Sequence, residues 1–394
     1  MNFHPCLLKS VCSLSLWSCC VCCPRGSPAA CGKGSDNDGK VSSKIAKSLG
    51  RAPGAAWWAF VVIASLILAL LPQTLGLAQL LDLSVVLVLA LLALSMSFLW
   101  GYIGILSFGQ TAFFGTGGYV YAVAAMNFDS TTLPFLLGIV LPMLLAAVLG
   151  YFMVYGKLSD IYFSVMTLVI TLIMNKAMRA TSGSQYVVGD VRLNGQNGIP
   201  GVPPLQVPWN PEVTLFIDHV YYLAAALLIL VYIGLRLLLT TSFGRVMIGI
   251  RENEQRIELL GYDARRYKLL AFILSGALAG LSGTMFAIWG NFVAPEMFGL
   301  DRAAEVIIWV IVGGKATLIG PIVGVGIIQY LTSWLGMQGV GQVTLVLGVI
   351  LIVFVLAFKD GLVPTLGNLL LRLVGAGPES RIKKGSDLEK GSDL

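Results

Sequence analysis

The chain has 394 residues, 57% of them hydrophobic and only 12% charged, which is about half the charge of an ordinary soluble domain. Its net charge of +6 comes from basic residues gathered in short loops between apolar runs, the pattern that orients a membrane protein rather than one that grips nucleic acid. With only His4 and His219, no HExxH and no GxxxxGK[ST], the composition excludes a histidine metal site, a Ser-His-Asp triad and a P-loop, and no cofactor or metal is expected. At about 20 apolar residues per span, the chain reads as an all-α, polytopic helical membrane protein with about 8–10 transmembrane helices.

All seven cysteines (Cys6, Cys12, Cys19, Cys20, Cys22, Cys23 and Cys31) lie in the first 31 residues. Metal binding, palmitoylation and a signal peptide are alternative readings of that stretch. Its lack of any packing pattern favours a disordered N-terminal extension over residues 1–50. Lys40, Lys44, Lys47 and Arg51 precede Trp57-Trp58, which places the N-terminus inside with aromatic residues at the interface. A first span is expected over 57–80, interrupted by Pro72, and a second over 83–100.

Residues 101–125, GYIGILSFGQTAFFGTGGYVYAVAA, are dense in glycine. Such a run allows close helix packing, or it breaks a helix where freed backbone faces protein or a cavity. On the second reading Ser107, Gly109, Gln110 and Gly115 line a path. Spans follow to Met126, then over 133–155 and 161–178. Residues 179–217 form a long Gly-, Pro- and Asn-rich loop, outside by parity, and a span over 219–239 returns the chain inside.

The one long charged segment inside the apolar region is Ser242–Lys268, with six basic and four acidic residues. Each charge would cost about 2.5–3.5 kcal/mol at a membrane helix centre, so the segment must face water. Ser242 is a plausible N-cap, Glu252 and Arg256 an i,i+4 pair, Gly261 a C′ residue and Asp263 the cap of the next helix. This describes a short helix, a tight turn and re-entry. The segment either only sets topology or is a docking helix for a soluble partner, and composition does not choose.

A seventh span over 268–290 carries a stripe of small residues, Gly276, Gly280 and Gly283. The outer connection that follows holds Arg302 and Glu305, expected to pair. Then comes a second glycine break, VIVGGKATLIGPIVGVGIIQY, in which Gly314 and Gly320 repeat the spacing of Gly109 and Gly115. The last spans are expected over 318–336 and 341–358, and residues 365–394 form a low-complexity tail, also inside. Asp82 and Glu305 are the main ionisable candidates within the apolar region, and both lie near span ends. Ion coupling therefore has little to work with. Energy for any transport is expected from another protein through the charged segment, whereas a channel, a secondary carrier or a scaffold would need no such contact.

Three stretches, LSFGQTAFFGTGGY (106–119), SFGRVMIGIRENEQRIELLGYDARRYKLLAFILSGALAGLSG (242–283) and VGGKATLIGPIVG (312–324), resemble the membrane permease subunits of ATP-binding-cassette importers for branched-chain amino acids. The urea and short-chain amide permeases are closely similar. The resemblance covers about Trp57 to Pro364, the region of a transmembrane permease domain over 51–364. It implies a multi-pass protein of the bacterial inner membrane with both termini cytoplasmic. The implied partners are a second homologous permease, two cytosolic ABC ATPases and a periplasmic solute-binding protein; nucleic acid is not among them. The resemblance also implies that Arg245, Glu252, Glu258 and Gly261 lie in the region that couples to the ATPase. Loops 179–217 and 291–302 would face the binding protein. The chain would be a transporter subunit and not itself an enzyme. Ser107, Gly109, Gln110, Gly115, Gly314 and Gly320 remain candidates for the translocation path.

Overall fold

The computed structural model describes residues 55–338 apart from 75, 129, 157, 184, 208–209, 215–216 and 316, together with 348, 352, 354 and 361–365. The expected extension over 1–50 with its cysteines, most of the span at 341–358 and the tail after Thr365 lie outside the described residues. The helices are α1 (Ala55–Leu70), α2 (Leu77–Phe98), α3 (Gln110–Asn127), α4 (Thr132–Tyr155), α5 (Asp160–Ala180), α6 (Ile217–Thr240), α7 (Ser242–Glu252), α8 (Glu254–Leu259), α9 (Ala264–Gly290), α10 (Leu300–Gly313) and α11 (Ile319–Met337). Among the described residues, six helices are long and apolar enough to cross a membrane: α2, α4, α5, α6, α9 and α11. The protein is a multi-pass helical membrane protein.

The span expected over 57–80 divides. Pro72 has no N–H to give an α-helical ladder. Accordingly α1 stops at Leu70, a 3-10 turn occupies Leu71–Gln73, and α2 starts at Leu77. Short antiparallel pairs organise the long loop after α5: Val187–Val188 with Val191–Arg192, and Gln206–Val207 with Asn210–Thr214. Ile199–Pro200 pairs with Phe292–Val293, tying that loop to the segment after α9.

The core forms around α9 and α2. From Leu87 to Phe98, α2 is buried without interruption. Along α9 the small residues permit backbone contact: a Cβ on Gly280 would lie 2.7 Å from Pro142 on α4, and one on Gly283 would overlap the Phe114 carbonyl on α3. In a bilayer, where lipid is as apolar as leucine, such close approach is what holds helices together. By contrast α4 and α5 leave Leu136, Leu144, Phe152, Ile161, Tyr162 and Ile173 exposed, faces suited to hydrocarbon.

Candidate functional site

The glycine-rich stretch is a true helix break. After Phe98 the helix widens into a π-turn over Leu99–Ile103, and Gly104, at φ 91°, ends it. Residues 105–109 are irregular until Gln110 opens α3. Irregular backbone buried in a membrane protein must find partners within the protein, and α5 supplies them. Ser164 Oγ donates to Leu106 O at 2.7 Å. Thr167 Oγ1 accepts the Phe108 N–H at 3.1 Å, and Thr171 Oγ1 reaches Phe108 O at 3.2 Å while also bonding back to Thr167 O at 2.9 Å. One turn on, Asn175 Nδ2 donates to Pro295 O at 2.7 Å. Ser164, Thr167, Thr171 and Asn175 form one buried polar stripe on α5. Sequence reasoning missed it, although the three- and four-residue spacing of those polar side chains within an apolar span was the available signal.

Of the expected path residues, the fold brings Ser107, Gly109 and Gln110 together. Ser107 and Gln110 are each 1% exposed, so within this chain both are interior groups. The Ser107 hydroxyl accepts the Gly109 N–H at 3.1 Å. Gln110 Oε1 accepts from Ser95 Oγ at 3.2 Å and its Nε2 donates to Ser275 Oγ at 2.7 Å, joining α2, α3 and α9. Gly115 sits apart from them, under the ring of Phe298. The segment that carries Phe298 is a 3-10 turn, Pro295–Phe298, with Pro295, Met297 and Phe298 buried. The connection after α9 is therefore largely folded inward. Glu296 pairs with Arg179 at 3.4 Å, and Arg302 pairs with Glu305 at 2.7 Å as expected.

Gly314 and Gly320 belong to the second break, between α10 and α11. Gly314 has φ 107°, and Gly320 packs against the carbonyls of Gly313 and Gly314. The two breaks meet. A Cβ on Gly101 would overlap the Lys315 carbonyl oxygen, and the Lys315 ammonium lies 5.5 Å from the centre of the Trp100 ring.

The charged segment folds as two helices rather than one. The N-cap of α7 is Thr241, not Ser242, and makes no side-chain cap bond. Asn253 is extended and caps α8, its side chain accepting the Arg256 N–H at 3.0 Å. This places Glu252 and Arg256 on different helices, and Glu252 pairs with Arg251 at 3.1 Å. A competing cap thus displaces the expected i,i+4 register. The end of α8 follows expectation. Gly261 has φ 89°, its N–H reaches Glu258 O at 2.9 Å, and the Tyr262 N–H reaches Ile257 O at 3.4 Å, the Schellman arrangement. Asp263 then caps α9 by accepting the Arg265 N–H at 3.2 Å.

The inner face of α7 buries Val246, Met247, Ile248 and Ile250. Arg245, Glu252, Glu258 and Gly261 are exposed, and beside them Leu259 and Leu260 are 87% and 69% exposed. Arg251 turns inward, and its Nη1 donates to Gly101 O in the first break. A cavity of about 390 Å³ lies behind α8, lined among others by Ile105, Phe163, Asp160, Glu254 and Lys268. There Lys268 Nζ lies 2.7 Å from Glu254 and 3.9 Å from Asp160, fastening α8 to α9 with α5 alongside.

Over 256 residues, 58% of this chain and 56% of the relative, the protein is 28% identical to the high-affinity branched-chain amino acid transport system permease protein LivM of Escherichia coli (strain K12). Over 274 residues, 60% of this chain and 74% of the relative, it is 24% identical to the probable branched-chain amino acid transport permease protein LivM of Methanocaldococcus jannaschii. A shorter match, 33% identical over 124 residues (30% of this chain, 37% of the relative), is to the probable ABC transporter permease protein YphD of Escherichia coli (strain K12). The chain spans about half the length, 56%, of the first two curated relatives it matches. No solved structure matches it. Residues 79–357 match the family model described as branched-chain amino acid transport system / permease component. That match takes in both glycine breaks, the polar stripe of α5 and the α7–α8 hairpin, and the chain belongs to this family of transport-system permease components.

Proposed function

We propose that this chain is the transmembrane permease subunit of an ATP-binding-cassette importer for branched-chain amino acids. It sits in the bacterial inner membrane with both termini cytoplasmic and pairs with a second, homologous permease. Two cytosolic ATPases drive it, and a periplasmic binding protein delivers the amino acid.

The observation that carries this reading is the α7–α8 hairpin. One side of α7 is seated in the bundle, while Leu259 and Leu260 stand out beside the exposed Glu258. Adjacent leucines this exposed on a charged, water-facing segment suit a groove in a soluble protein. A push on them would be turned at Gly261 and delivered along α9, which packs closely on α3 and α4 at its small residues. Gly109, Gly115, Gly314 and Gly320, with Ser107 and Gln110, then shape the wall of the path. Ser107 and Gln110 brace it from within.

The test is reconstitution with the partner subunits in proteoliposomes. ATP-dependent uptake of labelled leucine, lost with Leu259→Asp/Leu260→Asp together with ATPase co-purification, supports the reading. Uptake of urea but not leucine would overturn the substrate assignment, and leucine flux independent of ATP would overturn the importer itself.

A further inference from the structure

The hairpin has a further attachment to the bundle, distinct from the Gly261 turn, the buried face of α7 and the Lys268–Glu254 pair. Arg251 is in the last turn of α7, and its side chain is 23% exposed. Its guanidinium donates to Gly101 O, and its aliphatic stem lies on Gly104, where an added Cβ would be 3.0 Å from Arg251 Cγ. Gly101 belongs to the π-turn at the C-terminal end of α2. Carbonyls there lack the regular helical partner, and a cationic donor satisfies both the carbonyl and the negative end of the helix.

The contact continues. The far side of Gly101 leaves no room for a Cβ beside the Lys315 carbonyl, and Gly361 backs onto Gly314 in the same way. Backbone segments from the first break, the second break and the stretch after α11 therefore touch without intervening side chains. Packing this tight transmits a small displacement instead of absorbing it.

We infer that Arg251 is a positioning residue that locks α7 to both glycine breaks, so that movement of the α7–α8 hairpin shifts the 101–109 and 314–320 segments together. Its role in transport rests on the importer reading, but the physical link does not.

Amide hydrogen exchange on the purified full chain in detergent micelles tests the link without partner or substrate. Arg251→Gln should raise exchange at least tenfold in both 101–109 and 314–320, and leave the α4 segment around Pro142 unchanged. Arg251→Lys, which keeps a cationic donor, should restore protection to within threefold of the parent chain. A rise confined to α7, or none, overturns the inference. Should Arg251→Gln fail to fold, Arg251→Met serves instead, because it keeps an aliphatic stem on Gly104 and removes the guanidinium that reaches Gly101 O. The paired rise in both segments is again required, and a rise at residues 104–109 alone refutes the link.

In the assembled importer, Arg251→Gln should cut leucine uptake at least tenfold while ATP hydrolysis stays within twofold. Parent protein that shows no ATP-dependent uptake counts against the importer reading. Parent protein that couples, with a variant that couples equally well, counts against Arg251.

Discussion

Thr167 on α5 accepts the backbone N–H of Phe108 at 3.1 Å, closing from the side a break that neither α2 nor α3 closes itself. A buried N–H that loses its acceptor forfeits about 1–3 kcal/mol. Thr167→Val keeps the shape and removes the acceptor, so it should lower stability by about that amount. Thr167→Ser keeps the oxygen and should stay close to the parent. Thermal unfolding in detergent measures both, and equal melting of Val and Thr chains would show that Phe108 finds another partner. Thr171→Val should cost less, because Phe108 O is also within 3.3 Å of Thr111 Oγ1.

Gln110 joins α2 and α9 through Ser95 and Ser275 with both ends of one amide. Replacing it by Leu removes both bonds at nearly constant volume and should destabilise the chain by about 1–3 kcal/mol. Ser95 also donates to Leu92 O at 2.7 Å, so the larger share of the loss belongs on the Ser275 side. A double-mutant cycle of Gln110→Leu with Ser275→Ala should return a coupling of about 0.5–3 kcal/mol. Strict additivity would mean that the amide and the hydroxyl do not interact in the folded protein.

What the sequence could and could not disclose follows the range of the interactions. The spans over 133–155 and 161–178 were readable because an apolar run of membrane length has few alternatives, and α4 and α5 match them closely. Gly261 was readable because its role is local, a left-handed residue ending a helix and followed by a capping Asp. Asn253 was not. As a cap it breaks the charged segment in two, but mid-segment it looks like any polar residue on a solvated face. The α5 stripe was hidden for a different reason, since Ser164, Thr167 and Thr171 acquire meaning only from the Leu106 and Phe108 backbone groups, some sixty residues away in sequence. The meeting of the two glycine breaks at Gly101 and Lys315 is longer-ranged still, and a spacing match could suggest a repeat without suggesting contact.

Close packing on α9 makes a contrast between two glycines of the same helix. A methyl on Gly283 would overlap the Phe114 carbonyl, whereas one on Gly290 would meet nothing within 4 Å. Overpacking against backbone costs about 1–3 kcal/mol because backbone cannot rotate away. Gly283→Ala should therefore lose that much and separate α3 from α9, while Gly290→Ala should be neutral or slightly stabilising. Comparing the two by unfolding in detergent, with cross-linking between α3 and α9 as a second reading, tests whether contact distance or glycine content governs the helix. Equal stability of the two variants would reject the contact argument.

Gly261 separates local strain from packing. Nothing lies within 4 Å of a Cβ placed there, so size is not what the site resists; its φ of 89° is. A side chain held in the left-handed region costs about 1–2 kcal/mol, and the chain can avoid that cost by re-aiming the exposed turn between α8 and α9. On the importer reading proposed above, Gly261→Val should consequently leave the amount of protein in the membrane unchanged while lowering ATP-dependent leucine uptake, because Leu259 and Leu260 would no longer be held at the same angle to α9. Asn tolerates the left-handed region better than other side chains, so Gly261→Asn should recover a large part of the activity that Val loses. Ala, smaller than Asn but less tolerant of that conformation, should recover less. That order is the reverse of what a steric site would give. Uptake ranking Ala above Asn would place the constraint in space around the turn, supplied by a partner, rather than in the backbone conformation of Gly261 itself.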